Sequence, residues 1–523
     1  MTPRSPARPL GPPDVRAPTS NQAAAFDRLA IEGRGVPEPA LMENAGRQTA
    51  LIVQHLFPEG PVAALVGSGN NGGDALVCLR SLAAWGRAVT SVVVGKRFPE
   101  EPVLHAWEVP TVHFQEDDAS ADTVPRVLRG AAVVIDGMLG TGIRGAPRAQ
   151  YAAAIEMAGA AGRPIVALDT PSGVDGETGA VPGNAIRAEL TVAFGWPKLG
   201  TLLQPGRAHC GRIVAVEIGF PPDPDPGWAR LVTPGWASRQ LPRRGAATHK
   251  NAVGSLTIVA GSAMPGAAIL AARSAFRCGA GMGRVCASRD ARDPILEVPE
   301  IIFVDAGDEE ALRNAIGASD ALAVGPGLGT RRAAARQLQV ALEVRGGRPS
   351  VLDADALTLL AGDNGVEIPA DGSIVVTPHP GEMARLTGRS VREVQGDRIG
   401  GARAFAAARG AVTLLKGAPS LVADRRGGLL VSTTEETSSL AVAGMGDVLT
   451  GAIGCFLAQG VEPVPACGLA LHVTGRSVAA AALGPSLMPS DVIEGIPAAL
   501  ADRSAPVTAL PFPFVTFDQA APR

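Results

Sequence analysis

Six cysteines in 523 residues, none in a Cys-x-x-Cys pair, leave no framework for disulfides or for a structural zinc site. They are Cys78, Cys210, Cys278, Cys286, Cys455 and Cys467, mostly within apolar helix-like or strand-like runs, so buried reduced thiols are expected. No apolar run is long enough to span a bilayer, and no N-terminal stretch has an apolar core of signal-peptide length. A cytoplasmic protein is therefore expected, with no membrane partner. Charge of one sign is also missing. With 47 Lys+Arg against 50 Asp+Glu, the formal charge of −3 gives no pull toward nucleic acid. Tyr151 is the one tyrosine, which reads as codon bias more than physics. What is present, 46% hydrophobic and 19% charged residues, is the composition of a globular chain. Its length calls for two or three domains.

Residues 1–18, rich in proline and arginine, read as a flexible tail. Helices are expected over about 20–32, with Ser20 as N-cap, and over 39–57. Strands and helices then alternate. Val62–Val66, Val89–Val94, Ala131–Ile135, Pro164–Leu168, Leu190–Phe194 and Ile213–Ile218 are the expected strands, with a helix over Asp74–Ala84. This is the pattern of a parallel α/β sheet covered on both faces, whose ligands bind at the carboxyl ends of strands. Between Phe220 and Thr248 proline becomes dense, and the domain boundary is expected near Leu241. The second half alternates again. Its expected strands are Ser255–Ala260, Ala321–Val324, Val351–Leu352, Ile374–Thr377 and Ala411–Leu415, with helices over 266–278, 446–459 and 465–483. The expected division is an N-terminal domain over 19–240, a C-terminal domain over 241–502 and a tail over 503–523.

Two glycine-rich loops, one per half, end in aspartate: Gly67-Ser-Gly-Asn-Asn-Gly-Gly-Asp74 and Ala443-Gly-Met-Gly-Asp447. Each precedes a helix, where free N–H groups and the helix dipole suit an anion. The first does not have the glycine spacing of the dinucleotide fingerprint, and its two asparagines are more polar function than a tight turn needs. Asp136 and Asp169 end two further strands, the latter followed by Ser172. Such carboxylate, amide and hydroxyl oxygens suit a hard cation rather than zinc. In the second loop, Gly444 and Gly446 offer N–H groups to a transferring phosphoryl group. Asp447 in the same turn can take a proton from an attacking hydroxyl. His379, between two prolines, has a stiff backbone and reads as a ligand contact. Lys416-Gly417 reads equally as a phosphate contact or a solvated loop.

Taken together these residues resemble the bifunctional NAD(P)H-hydrate repair enzymes, an epimerase domain fused to an ADP-dependent dehydratase domain. The first half carries Met42-Glu-Asn-Ala-Gly46, Asn70–Asp74, Val134-Ile-Asp136, Gly140-Thr-Gly142, Asp169-Thr-Pro-Ser-Gly173 and Pro197-Lys-Leu-Gly200. The second carries His249-Lys250, Gly325-Pro-Gly-Leu-Gly329, Asp353-Ala-Asp355, Thr377-Pro-His-Pro-Gly-Glu382, Leu415-Lys-Gly417 and Gly444-Met-Gly-Asp447. The resemblance implies a Rossmann-like and a ribokinase-like three-layer sandwich. It implies that Asn70, Asn71, Gly72, Gly73 and Asp74 hold the hydrated nucleotide for epimerisation. Gly140, Thr141, Gly142, Ile143, Arg144, Gly145, Ala146 and Asp169 would complete that site, and Asn71, Asp136 and Ser172 would bind potassium. Ala267, Gly327, His379 and Asp447 would hold the hydrate for dehydration. Lys416, Gly417, Ala418, Pro419, Ser420 and Gly446 would hold ADP, with magnesium assisting. Asp136 and Lys198 are the candidates for moving the proton in epimerisation. A homo-oligomer is expected. Ala75, Asn251 and Ala443 stand where the family usually has glycine.

The rival reading is a ribokinase-like vitamin kinase whose first half is a non-catalytic ligand-binding module. The coexistence of Asn71, Asp74, Asp136 and Asp169 in that half argues against it.

Overall fold

The computed structural model describes residues 8–9, 14–96, 102–114, 122–142, 144–222, 227–243, 245, 253–261, 264–362, 366–433, 438–503 and 507–522. Ile143, His249, Lys250 and Asn251 lie outside them. The chain forms two compact units, residues 1–229 with 505–522, and residues 230–504.

The first unit holds an eight-stranded sheet in the order Val515–Gln519, Arg212–Val216, Leu190–Phe194, Ile165–Leu168, Val133–Gly137, Val62–Val66, Val89–Val94, Thr111–Phe114. All its pairings are parallel except that of Val515–Gln519 with Arg212–Val216. Alternate residues of one strand feed opposite cores. Val62, Ala64 and Val66 face the cluster containing Leu41, Ile52, Leu76 and Leu79, on helices Glu38–Leu56 and Asn70–Ala84. Ala63 and Leu65 face the cluster containing Val124, Leu128, Ala154 and Ile155, on helices Thr123–Gly130 and Ala149–Ala160. Burial on both faces explains why these strands read as unbroken apolar runs. The chain runs outward from Val62–Val66 to Thr111–Phe114, then returns to place Val133–Gly137 on the other side. That reversal is a switch point, where the crevice of a doubly wound sheet opens.

The second unit repeats the logic with the order Ile301–Asp305, Met282–Ala287, Ser255–Val259, Ala321–Val324, Ser350–Leu352, Ile374–Val376, Val412–Leu415, Leu421–Ala423, Leu429–Ser432, Ala229–Val232. Leu421–Ala423 is antiparallel to both neighbours and the other pairings are parallel. Helices Pro265–Arg277, Met445–Ala458 and Pro463–Ala481 pack their alanines and leucines into one core with Leu256, Ile258 and Val351. Helices Glu309–Gly317 and Arg332–Val344 also pack on strands of this sheet.

Five expectations are corrected. The domain boundary lies at residues 229/230 rather than near Leu241, because Ala229–Val232 pairs with Leu429–Ser432 and helix Pro234–Gln240 packs in the second unit. Neither stretch read as a tail is one: residues 1–18 contain strands Arg8–Pro9 and Arg16–Ala17 with Val15 and Ala17 buried, and the stretch after residue 502 contains the edge strand Val515–Gln519, whose valine and phenylalanine are buried. The first helix, Ser20–Arg28, is capped by Thr19 and not by Ser20: Thr19 and Gln22 form a capping box while Ser20 is buried. The helix after the first glycine loop starts at Asn70, not Asp74, so Asn71, Gly72 and Gly73 form its first turn. Asparagine and glycine are poor helix formers, which hid that turn from the pattern.

Gly67 joins strand Val62–Val66 to this helix, and a Cβ there would fall 1.8 Å from the Met138 carbonyl oxygen. Gly67→Ala is therefore expected to destabilise the first unit by about 1–3 kcal/mol through backbone displacement. Urea denaturation followed by circular dichroism checks this; an unchanged transition would contradict the close approach.

Candidate functional site

In the first unit the switch point opens into a cleft of about 460 Å³ lined by Asn70, Asn71, Asp74, Gly140, Thr141, Gly142 and Asp169. Asp27, Glu38, Phe194, Trp196, Lys198 and Phe220 complete its wall. Arg144, Gly145 and Ala146 lie on the exposed continuation of the Gly140 loop, where Arg144 donates to the Asn21 amide oxygen at 2.6 Å. Gly72 and Gly73 are buried in the first helical turn.

Asp136 sits behind the cleft with no exposed surface. Its Oδ1 accepts from the Met138 N–H at 3.2 Å and the Ser172 hydroxyl at 2.6 Å, and its Oδ2 accepts from the Ser172 N–H at 2.8 Å. Ser172 Oγ in turn accepts from the Leu139 N–H at 3.0 Å. Asn71 Nδ2 donates to the carbonyls of Leu139 and Leu168 at 3.0 and 3.2 Å. Asn71, Asp136 and Ser172 thus do come together, among hard oxygen donors. Burial pushes the Asp136 carboxyl up to about 6 against the opposing hydrogen bonds. The hydrogen bonds that hold it come from neutral donors, so its ionised form is a buried charge without a counter-ion. Such a group is costly unless a cation joins it. The donor set fits a hard cation.

Asp169 adopts φ of 61°, the left-handed region that aspartate tolerates better than most residues. There its Oδ1 accepts from the Phe194 N–H at 3.0 Å and pairs with Lys198. Lys198 Nζ also donates to the carbonyls of Phe194 at 3.0 Å and Trp196 at 3.3 Å, which uses all three of its donors. Asp136 and Lys198 are therefore both committed to fixed partners. Asp27 was not singled out in the sequence. Burial pushes its carboxyl up to about 6, with Lys198 opposing the shift. Its helix and the turn that follows carry apolar residues at Ala23, Phe26 and Ala30, so Asp27 reads as an ordinary polar-face residue. The scarce aromatics gather beside the cleft. Trp196 stacks on Phe220 at 5.3 Å, and Phe26 and Trp228 meet Trp196 edge-on at 5.3 and 5.0 Å.

In the second unit Asp447 lies in the first turn of helix Met445–Ala458, whose N-cap Gly444 has φ of 92°. Burial pushes Asp447 up to about 6; Asp353 and Asp355 add to the rise and Lys416 opposes it. Asp353, 2% exposed, accepts from Lys416 Nζ at 2.8 Å through Oδ1 and from the Thr450 hydroxyl at 2.8 Å through Oδ2. Lys416 Nζ is also 3.7 Å from the Glu382 carboxylate. Burial alone would lower Lys416, but Asp353, Glu382 and Asp447 hold it above its usual value. Lys416 thus belongs to the carboxylate cluster around Asp447. The rest of its loop forms a separate turn, in which Ser420 Oγ bonds the Gly417 N–H and carbonyl at 3.3 and 3.2 Å. Ala418 is exposed and Pro419 buried in that turn. Arg398 braces it by donating to the Lys416 carbonyl at 3.2 Å. A Cβ on Gly446 would approach nothing closer than 3.5 Å, its nearest neighbours being Asp353 and Lys416.

His379 caps helix Pro380–Thr387, its Nδ1 accepting from the Gly381 and Glu382 N–H groups at 2.9 and 3.4 Å. With Nδ1 an acceptor, the neutral ring carries its proton on Nε2. The side chain is 52% exposed and so available to a ligand. Gly327, φ of 62°, and Ala267 converge on Met264: a Cβ on Gly327 would meet the Met264 carbonyl at 2.4 Å, and Ala267 N–H donates to that carbonyl at 3.1 Å. Leu270, on the same helix as Ala267, lies against Gly444. Asp353, Glu382, Arg398 and Thr450 were not marked as site residues in the sequence. Asp353 and Glu382 stood in quoted motifs, but only the fold shows that they face Lys416.

Among the described residues no group of three or more His, Cys, Asp or Glu is placed to hold a metal ion. No helix among them is long and apolar enough to cross a membrane.

Parallel sheets with glycine-opened helix N-termini and buried carboxylates at their strand ends define a two-unit α/β enzyme of the nucleotide-handling class. Residues 38–200 match the family model described as YjeF-related protein N-terminus, and residues 256–497 match that described as NAD(P)H-hydrate dehydratase. The chain is 35% identical over 518 residues to a bifunctional NAD(P)H-hydrate repair enzyme of Moorella thermoacetica, covering 92% of this chain and 95% of the relative. It is 34% identical over 469 residues to the Escherichia coli enzyme of the same description, covering 88% of each. A Bacillus subtilis ADP/ATP-dependent NAD(P)H-hydrate dehydratase, co-crystallised with ATP and Mg2+, is 27% identical, with a TM-score of 0.47 and coverage of 52% of this chain and 98% of that one. The chain belongs to the bifunctional NAD(P)H-hydrate repair enzymes, and both of its units are α/β.

Removing Asp353 would take from Lys416 its hydrogen-bonded carboxylate and from the Thr450 hydroxyl its acceptor. Asp353→Ala is expected to cost roughly 3 kcal/mol, and Thr450→Val only about 1 kcal/mol. Chemical denaturation of the two variants measures both; equal losses would show that Asp353 does not anchor Lys416.

Proposed function

We propose that this protein repairs hydrated nicotinamide nucleotides. Its first unit interconverts the S and R forms of hydrated NADH and NADPH, and its second dehydrates the S form at the expense of ADP. The observation that carries the reading is the pairing, in one chain, of two unlike sites. One is a cleft rich in amide and carboxylate groups with no phosphoryl-transfer apparatus. The other is a glycine-opened helix N-terminus with a raised carboxyl and a lysine.

In the first unit, Asn70 to Asp74, Gly140 to Ala146 and Asp169 are the proposed contacts to the hydrated nucleotide. Asn71, Asp136 and Ser172 would hold a potassium ion, which when bound supplies the positive charge that the buried Asp136 otherwise lacks.

In the second unit, Ala267, Gly327 and His379 position the hydrate, and Lys416 to Ser420 with Gly446 hold ADP. Asp447 takes the proton from the C6 hydroxyl, whose oxygen bonds to the β-phosphorus of ADP as the bond to the AMP oxygen breaks. The amides at Gly444 and Gly446 receive the charge on the transferring group. The ring-nitrogen lone pair then expels phosphate from C6, and C5 gives up a proton to restore the reduced ring. Magnesium, if bound, would neutralise phosphate charge.

Racemic hydrated NADH supplied with ADP is expected to return fully to reduced nicotinamide, seen by its absorbance. Half-conversion would indicate that the first unit does not epimerise, and no conversion with release of a phosphorylated product would favour a kinase. Asp447→Asn is expected to keep nucleotide binding and lose dehydration. Because Asp447 acts as a base and its carboxyl sits at about 6, the rate is expected to rise as pH passes upward through that value. Full activity of Asp447→Asn would sink the assignment.

A further inference from the structure

The cleft of the first unit is lined by five ionisable side chains: Asp27, Glu38, Asp74, Asp169 and Lys198. Four have fixed partners. Lys198 has its three donors on Asp169, Phe194 and Trp196, and Asp169 holds Lys198 and the Phe194 N–H. Glu38 accepts from the Asn70 amide at 2.7 Å, and Asp74 is engaged in interactions within the protein. Asp136 is fully buried, bonded three times and not on the cleft wall. Asp27 is different: among the described residues nothing donates a hydrogen bond to its carboxyl. It lies on the cleft-facing stripe Ala23–Asp27–Ile31 of the first helix and the turn after it, between two apolar neighbours one turn away on either side.

We propose that Asp27 is the catalytic acid of epimerisation, giving its proton to the C6 hydroxyl of the hydrated nucleotide. The inference rests on the reading of the first unit as the epimerase. In the step, the Asp27 proton passes to the hydroxyl oxygen and the C6–O bond breaks, releasing water. The ring-nitrogen lone pair forms the N1–C6 double bond. A water then adds to the opposite face of C6 and the electrons return to nitrogen. The proton lost by that water goes to solvent, which reprotonates Asp27. One water leaves and one enters, so no oxidant or co-reactant is needed. The groups that bear on Asp27 are Lys198, Asp169, Arg28 and Glu38; burial, aided by the like charges of Asp169 and Glu38, outweighs Lys198 and Arg28 and pushes the carboxyl up to about 6. A protonated carboxyl is the form a general acid needs.

The test uses the full chain with ADP and each separated epimer of hydrated NADH. Wild type is measured first and must recover the R form faster than the uncatalysed background. Failure there overturns the epimerase reading beneath the inference. Asp27→Asn is expected to slow R-form recovery by at least ~100-fold while S-form recovery, which needs only the second unit, is unchanged. Asp27→Glu should restore part of the rate. The ratio of R-form to S-form recovery in wild type should fall as pH rises above about 6, and that ratio in Asp27→Asn should lose the dependence. An Asp27→Asn chain that recovers the R form at wild-type rate overturns the assignment. So does a loss of rate that comes with loss of NADH binding to the first unit, read by fluorescence quenching, since Asp27 would then bind rather than catalyse.

Discussion

A buried aspartate at the carboxyl end of a central strand fixes each site. Asp136 ends the strand that borders the switch point and fastens the Met138 turn and Ser172 to it; through Ser172 it also fixes Leu139 and, one bond further, Asn71. Asp353, just beyond strand Ser350–Leu352, fastens Lys416 from one neighbouring loop and Thr450 from the helix that carries Asp447. Both carboxylates are almost wholly shielded from solvent. A group desolvated to this degree must keep its hydrogen bonds, so the loops it touches have little freedom to move. The precision of each site therefore derives from a side chain one layer behind it.

The two aspartates differ in what balances them. Asp353 has the Lys416 ammonium, and that cation is in turn shared with Glu382 and Asp447. Asp136 has only neutral donors. One site thus carries its compensating charge in the chain, while the other is suited to take it from solution. The contrast follows from the chemistry proposed for each. A fixed lysine beside Asp447 is useful where phosphate charge accumulates, whereas a cleft holding a nucleotide without phosphoryl transfer needs only local neutrality.

The central strands were legible because burial on both faces writes them as apolar runs: Val62–Val66 and Val89–Val94 fall where the pattern put them. The edges were not. Thr111–Phe114 is half exposed and too polar to stand out, and Val515–Gln519 follows prolines and alternates buried with half-exposed residues. Met282–Ala287 and Ile301–Asp305, at the far edge of the second sheet, were also missed, the first because Gly283 and Arg284 break its pattern. Site residues followed the same division. Asn71, Asp136 and Asp447 sit in loops whose composition has no structural excuse. Asp27 and Thr450 lie on helices, where a polar residue every turn is unremarked, and only the fold shows which way they face. Arg398 was invisible because its partners are main-chain carbonyls, which leave no sequence signature.

The gathering of aromatics at the first cleft has a spectroscopic consequence. Of five tryptophans, four belong to the first unit and Trp236 alone to the second. Trp196 lines the cleft and lies 5.0 Å from Trp228 at 83°, with Phe220 stacked on its other side. Two indoles so close share excitation, and a chain with a single tyrosine adds little emission of its own. The intrinsic fluorescence of the whole protein is thus weighted toward one of its two sites: a ligand entering the first cleft alters the surroundings of Trp196, while the second unit has Trp236 alone as its indole.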